Sequence, residues 1–297
     1  GGMDLKQMRY FLMLAQEQNF GRAAVKLHIT QPPLTRHIKA LEDDLGVTLF
    51  TRTPKGAELT EAGRALLEEV PNVLALSRRA EERAQLAEQG YIGRLDVAFF
   101  SSGVLNAIPR ILSEFRQRRP KVKVALYNMT KAQQLEALRD RRITIGFNRL
   151  VPDEDDLAVE IVLREPFLVG LYKGHPLCDR AYITLADLDN EPLVVYPNAP
   201  MHGLGEEIAA AFRAEGLKFK VEQATDDIVT CIAMVASGFG VCITTQSAQT
   251  LNLPNVVYRP LRSNTLKDIE LSCMYRRDDT SPILHAFLTL VRQFNYE

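Results

Sequence analysis

No run of 18 consecutive apolar residues occurs in the 297-residue chain, so no membrane-spanning helix is expected. The first residues, Gly1-Gly2-Met3, lack the basic-then-apolar layout of a secretory leader. Gly1 and Gly2 read as a cloning remnant and are set aside. Cysteine is scarce: four residues, at 178, 231, 242 and 273, with no CxxC pair and no His-Cys cluster at zinc spacing. No metal site and no cofactor are implied. The thiols are expected to be buried and reduced, as in a cytoplasmic protein. A sharper alternative is a redox-sensing pair, Cys231 with Cys242. Cys231 lies in an apolar helical run and Cys242 in an apolar strand-like run, where burial would raise a thiol pKa and make it inert. No GxSxG, HExxH or phosphate-binding loop is present. His175 precedes Pro176 with no nucleophile near it in sequence, so the chain is not expected to be an enzyme. Internal repeats and low-complexity segments are also lacking.

Net charge is also nearly absent, at −1, which excludes a protein whose whole surface attracts nucleic acid. Averages hide segregation, however. Residues 1–59 hold eight Lys/Arg against six Asp/Glu, a balance of +2. That surplus is too small to argue DNA binding by itself, so the pattern must carry the argument. What remains is ordinary for a folded protein: 46% hydrophobic and 25% charged residues, enough for two or three compact units.

Met8, Phe11, Leu12 and Ala15 recur at helical spacing over Leu5–Gln18. Asn19-Phe20-Gly21 breaks that helix. A short second helix, Arg22–Leu27, places Ala23, Ala24 and Leu27 on one side. His28-Ile29-Thr30 is a tight connection. Thr30 is an N-cap for a third helix whose first turn holds Pro32 and Pro33, where missing N–H groups cost little. Leu34, Ile38, Leu41 and Leu45 are expected inward, and Gly46 ends the helix. Short helices joined by a three-residue turn, with small alanines at the crossing, make a helix-turn-helix rather than just any small bundle. Val47–Phe50 and Ala57–Leu59 then flank Arg52-Thr53-Pro54-Lys55-Gly56 as a hairpin with a basic tip, a wing.

Thr60-Glu61-Ala62-Gly63 opens a long helix to about Gln89. Leu66, Val70, Val73, Ser77, Ala80, Ala84 and Ala87 form a heptad seam, and Pro71 should kink the helix unless it begins later. A seam beside a DNA-binding head implies dimerisation, so that two heads meet two half-sites. From Arg94 the texture becomes α/β. Strands are expected at 95–100, 122–127, 144–147, 193–196, 241–244 and 269–275, with two more in 159–172. Helices are expected near 104–117, 131–141, 204–215, 226–237 and from 282. Strand, helix, strand, helix, strand implies a parallel sheet, and two such lobes leave a cleft between them.

The N-terminal layout resembles the LysR-type transcriptional regulators. The residues that carry it are Met8-Arg9-Tyr10-Phe11, Asn19-Phe20, Arg22-Ala23-Ala24, Leu27-His28, Gln31-Pro32-Pro33-Leu34-Thr35-Arg36, Leu41-Glu42, Leu45-Gly46, Leu49-Phe50, Arg52 and Leu59-Thr60-Glu61-Ala62-Gly63. The C-terminal runs Ile108-Pro109-Arg110, Met129-Thr130-Lys131, Gly146-Phe147-Asn148-Arg149 and Val195-Tyr196-Pro197 resemble the members that govern aromatic-ring degradation in response to muconate-type compounds. The resemblance implies an α + α/β protein: a winged helix-turn-helix over 3–59, a linker (dimerisation) helix over 60–90, and an effector-binding domain over 91–297. That domain would be of periplasmic-binding-protein type, with two α/β lobes at about 91–162 plus 267–297, and 163–266. It further implies double-stranded operator DNA and a small carboxylate as partners, and a homotetramer built as a dimer of dimers.

Gln31, Pro32, Pro33, Thr35 and Arg36 are the expected exposed start of the recognition helix. Gln suits adenine and Arg suits guanine; Thr or Pro can touch a thymine methyl. Arg52 and Lys55 are wing candidates for phosphate, and Arg22 and His28 could serve likewise. Ser101, Ser102, Thr130 and Lys131 follow strand ends where a helix start would offer N–H and hydroxyl donors to an anion. Arg149 closes a neighbouring strand, either as a fixed charge for the ligand or as a lobe-to-lobe ion pair. Related regulators carry Pro and Phe where this chain has His202 and Leu204, which makes His202 either an added donor or an exposed loop residue. The remaining rival is an α/β enzyme or solute-binding domain fused to a helical head.

Overall fold

The computed structural model describes residues 2–101, 105, 107–197 and 201–295. It divides into two compact units, Gly1–Leu86 and Ala87–Glu297.

The first unit begins with α1 (Leu5–Glu17), α2 (Phe20–Lys26) and α3 (Gln31–Leu45). Each start has a local cause. Asp4 accepts from the Gln7 N–H at 2.7 Å while its own N–H donates to Gln7 Oε1 at 2.9 Å, a capping box. Asn19 caps α2 through the Arg22 N–H. Thr30 occupies the N-cap of α3 but makes no side-chain capping bond. Phe11, Leu14, Ala23, Leu34 and Leu41 form the dry centre of the unit. Ala23 and Ala24 are buried at the crossing, as the small-residue argument requires. Leu45, expected inward, is instead 39% exposed in the last turn, where Gly46 at φ 68° ends the helix.

The wing is tighter than the sequence suggests. Strand β1 (Phe50–Thr53) pairs antiparallel with β2 (Gly56–Leu59), with Thr53 opposite Gly56, so only Pro54 and Lys55 form the tip. Val47 lies outside the hairpin because the Glu42 carboxylate accepts from the Leu49 N–H at 2.6 Å and holds the approach against α3. Gly56 has φ 134°, and a Cβ there would lie 2.1 Å from Gln18 O, so the wing docks on the end of α1 only as glycine. Helix α4 (Glu61–Glu88) does not start later: Pro71 lies inside it. Its Val70 and Leu74 enter the core of the first unit, whereas Val73 and Leu76 are 38% and 57% exposed.

The second unit holds two sheets. One has the order β4-β3-β5-β13-β6, with β3 (Gly93–Phe99), β4 (Val122–Asn128), β5 (Ile145–Asn148), β6 (Leu157–Glu165) and β13 (Ile269–Arg276). Strands β3, β4 and β5 are parallel, as expected, but β13 is antiparallel to both its neighbours. The sheet is mixed because the chain returns late from the second lobe and inserts between β5 and β6. Helices α5 (Ala107–Arg118), α6 (Lys131–Arg139) and α9 (Pro282–Asn295) pack on it.

The other sheet has the order β11-β7-β12-β8, from β7 (Phe167–Tyr172), β8 (Ile183–Thr184), β11 (Cys242–Thr245) and β12 (Val256–Arg262). The parallel pair β9 (Pro192–Val195) and β10 (Lys220–Ala224) joins it through a bridge between Leu193 and Val241. Helices α7 (Leu204–Ala214) and α8 (Ile228–Ala236) bury Phe212, Ile232 and Val235 against these strands. The apolar run 159–172 divides at Pro166, which ends β6 before β7 begins.

Candidate functional site

In the first unit, α3 and β1 bring Gln31, Pro32, Thr35, Arg36 and Arg52 around one open depression. Gln31, Pro32 and Arg36 are exposed, and Pro33 and Thr35 are half-buried. The N–H donors at the start of α3 are few, because Pro32 and Pro33 have none. This helix end is therefore a poor backbone cradle for phosphate. The Arg52 guanidinium lies 4.2 Å from the Phe20 ring centre and reaches Thr35 Oγ1 at 3.4 Å, which fixes the wing cation beside the helix. Lys55 stands exposed at the tip. Among the described residues, Arg36, Arg52 and Lys55 have no carboxylate partner within 4.0 Å. Arg22 differs, since it donates to Glu17 O and lies near the Glu17 carboxylate. His28 is exposed at φ 58° in the turn.

In the second unit, a cleft opens to solvent. Its walls include Ser101, Thr130, Lys131, Asn148 and Arg149 on the first sheet's side, and Tyr196, Met201 and Leu204 on the other. Thr130 is the N-cap of α6: its hydroxyl accepts from the Gln133 N–H at 3.3 Å, which leaves the hydroxyl proton free to donate. Ser101 does not cap α5, which begins at Ala107. Ser101 instead sits at φ 58° with its buried Oγ unpartnered. Ser102 lies outside the described residues. The second helix start on the cleft belongs to α7, through Gly203 and Leu204.

Lys131 is 5% exposed and does not wait in the cleft as an idle charge. Its Nζ donates to Leu150 O at 3.0 Å and to His202 O at 2.6 Å, which ties the two walls together. Burial pulls its pKa below the ordinary lysine value, partly opposed by Glu206. The His202 side chain is 58% exposed and turned to Glu207 at 2.8 Å, so it is the carbonyl of this residue that serves the cleft wall. Arg149 forms the ion pair foreseen as one of its two readings. Its Nη2 is bonded to the buried Glu165 carboxylate, while Nη1 is buried with no partner. The other Glu165 oxygen accepts from the Ser247 N–H at 2.8 Å, at the end of β11.

Two residues of this site were not singled out by sequence reasoning. Asn148 lines the cleft with an unpartnered Nδ2. Tyr196 sits beneath it, with its hydroxyl on Thr244 Oγ1 at 2.5 Å and its pKa raised by burial. Cys231 and Cys242 are fully buried free thiols. A hydrogen bond with Cys242, and then burial, hold the Cys231 thiol far above its usual range, which disfavours the thiolate that redox chemistry needs. Burial likewise pushes Cys273 up to about 12.

Comparison with known proteins agrees with both halves. Residues 5–64 match the bacterial regulatory helix-turn-helix protein, lysR family, and residues 88–295 match the LysR substrate binding domain. The HTH-type transcriptional regulator ClcR of Pseudomonas putida is 35% identical over 289 residues, covering 97% of this chain and 98% of the relative. The regulator CatR of Pseudomonas putida is 36% identical over 292 residues, covering 98% and 99%. The crystal structure of CbnR, a LysR family transcriptional regulator, superposes with a TM-score of 0.89 at 30% identity over 98% of this chain and all of that one. CbnR has also been solved in complex with its target DNA, and that structure matches with a TM-score of 0.89 at 29% identity, covering 98% of this chain and 99% of that one. With a winged helix-turn-helix, a two-lobed α/β unit and both family domains in order, the chain belongs to the LysR family of DNA-binding transcriptional regulators, and it is not an enzyme.

Proposed function

We propose that this regulator reads a partly palindromic operator through Gln31, Pro32, Pro33, Thr35 and Arg36, with Arg52 and Lys55 on phosphate. A small carboxylate in the cleft of the second unit controls it. The ligand is a product of aromatic-ring cleavage, with a muconate as the first compound to test. Ser101, Thr130, Lys131 and Arg149 face or flank that ligand. The single observation that supports this reading most is the half-paired Arg149: a buried guanidinium with one nitrogen on Glu165 and another left for an anion. The start of α6 adds to it, because a helix N-terminus favours negative charge. Binding shifts the walls that Lys131 now holds together, and that shift alters how paired heads meet DNA. The protein works in the cytoplasm as a dimer of dimers. The exposed Val73 and Leu76 on α4 supply apolar surface for one of the two contacts.

The test is a map of bound sites followed by affinity measurements on the best site, with and without muconate or benzoate. Sequence-selective binding that a carboxylate modulates is the expected result. Equal affinity for random DNA, or indifference to every carboxylate tried, overturns the reading. Sedimentation at micromolar concentration should give a tetramer; a monomer contradicts the assembly.

A further inference from the structure

The cleft contains a donor that none of the preceding roles uses. Asn148 ends β5 and is 6% exposed. Its amide orientation is fixed by chemistry: Oδ1 accepts from the Arg149 N–H at 2.8 Å, and a backbone N–H can only donate. Turning the amide over would set NH₂ against N–H. The free end is therefore Nδ2, a donor, and it is buried without a partner. In a continuing strand, Asn148 and Arg149 would point to opposite faces. Here the strand stops at Asn148, the chain bends, and Leu150 adopts φ 52°, so that both side chains line the same cleft. On the next residue, which lines the same cleft, Arg149 Nη1 is likewise buried and unpartnered. No carboxylate is found among the described cleft-lining residues. An unpaired buried donor is costly, so two of them on adjacent residues of one cleft call for an acceptor.

We propose that Asn148 Nδ2 and Arg149 Nη1 together grip the two oxygens of one ligand carboxylate, which makes Asn148 the residue that separates a carboxylate from its neutral amide. This rests on the reading of the cleft as the effector site and adds to it a specificity determinant. A carboxamide presents one oxygen and one NH₂, so one of the two donors would face another donor. A site built around hydrogen bonds rejects such mismatches far more strongly than an apolar pocket rejects a change of shape.

The experiment is calorimetric titration of the full chain with two matched pairs: muconate with its monoamide, and benzoate with benzamide. Wild type, Asn148→Ala and Asn148→Asp are compared. Asn148→Asp keeps the acceptor for the Arg149 N–H and the side-chain shape, but replaces the free donor with an acceptor. Wild type should prefer the carboxylate over its amide by at least about 100-fold. Asn148→Ala should bind the carboxylate about 10- to 100-fold more weakly, the range of one hydrogen bond to a charged group. Asn148→Asp should invert or abolish the carboxylate-to-amide preference. That preference is a ratio within each variant, so a general loss of stability does not imitate it. If wild type binds the carboxylates and both variants keep the same ratio, a water satisfies Nδ2, and this inference falls while the effector-site reading stands. If wild type binds no carboxylate of the panel, both fall.

Discussion

Arg36 and Lys55 in the first unit stand in solvent with no carboxylate beside them, whereas Arg149 and Lys131 in the second are 8% and 5% exposed and already bonded. On the proposed function, the difference reflects the partners. A polyanion releases counterions from any exposed cation that meets it, so cations waiting in water suffice, and their positions follow from one helix and one hairpin. A small anion must be taken out of water. Its binding groups must be buried beforehand, and a buried charge persists only with partners. The second unit therefore holds its cations on Glu165 and on two carbonyl oxygens, and keeps back one nitrogen of Arg149 and the donors of Ser101 and Asn148.

The sharpest way to break this comparison is to remove a buried cation. Arg149→Ala leaves Glu165 buried without its countercharge and should destabilise the protein by about 3–5 kcal/mol in urea unfolding. The double variant Arg149→Met with Glu165→Gln should recover most of that loss, because Gln still accepts from the Ser247 N–H. It should not recover ligand binding. Full recovery of binding would show that the guanidinium is only structural. By contrast, Arg36→Ala should leave unfolding unchanged and cost about 1–3 kcal/mol on the specific site. An equal loss on random DNA would reduce Arg36 to a phosphate contact.

The first unit was largely legible in the sequence because its signals are local, although Phe20 and Gly21, read with Asn19 as a break, are the first residues of α2. Asp4 with Gln7, Asn19 before α2, and Pro32-Pro33 in the first turn of α3 all act within a few residues. The wing was foreseen, but its strands were displaced, because the Glu42 carboxylate that ends the approach at Leu49 acts from another helix. In the second unit, the strands with apolar runs were visible. Strands β8, β10 and β12 were not: β8 is two residues long, β10 is exposed throughout, and β12 carries Arg259, Pro260 and Arg262. Asn148 was invisible as a site residue for a physical reason. Its role depends on the bend after β5 and on a bond to the Arg149 N–H, and neither has a sequence period. Of the two readings open for His202, the structure favours the exposed loop residue, because Glu207, in the first turn of α7, captures its ring.

Smaller effects refine the contrast. Thr130→Ala removes the cap of α6 and should cost about 1 kcal/mol of stability, with a further loss in carboxylate affinity. Comparison of unfolding with and without ligand separates the two. Lys55→Ala should leave unfolding unchanged and lower the salt slope of DNA binding by about 0.9 if it neutralises one phosphate. Glu160 offers the mildest test. Hydrogen bonds from Arg292 hold its carboxyl below the ordinary value, against the opposing effect of burial. A depressed carboxyl pKa stabilises the fold above the unfolded value of about 4.3, and that stability is lost as pH falls through the folded value. Since Glu160 is 26% exposed, the contribution should stay below about 1 kcal/mol. Unfolding followed from pH 6 to pH 3 in wild type and Glu160→Gln should converge at the acid end.

The most direct measurement is titration calorimetry of the full-length protein with muconates, benzoates and their uncharged esters, repeated on the doubly substituted Ser101→Ala, Thr130→Ala chain. The account predicts that carboxylates bind, that the esters do not, and that the double substitution weakens binding. Binding by the esters alone, or carboxylate binding unchanged by the double substitution, would contradict it.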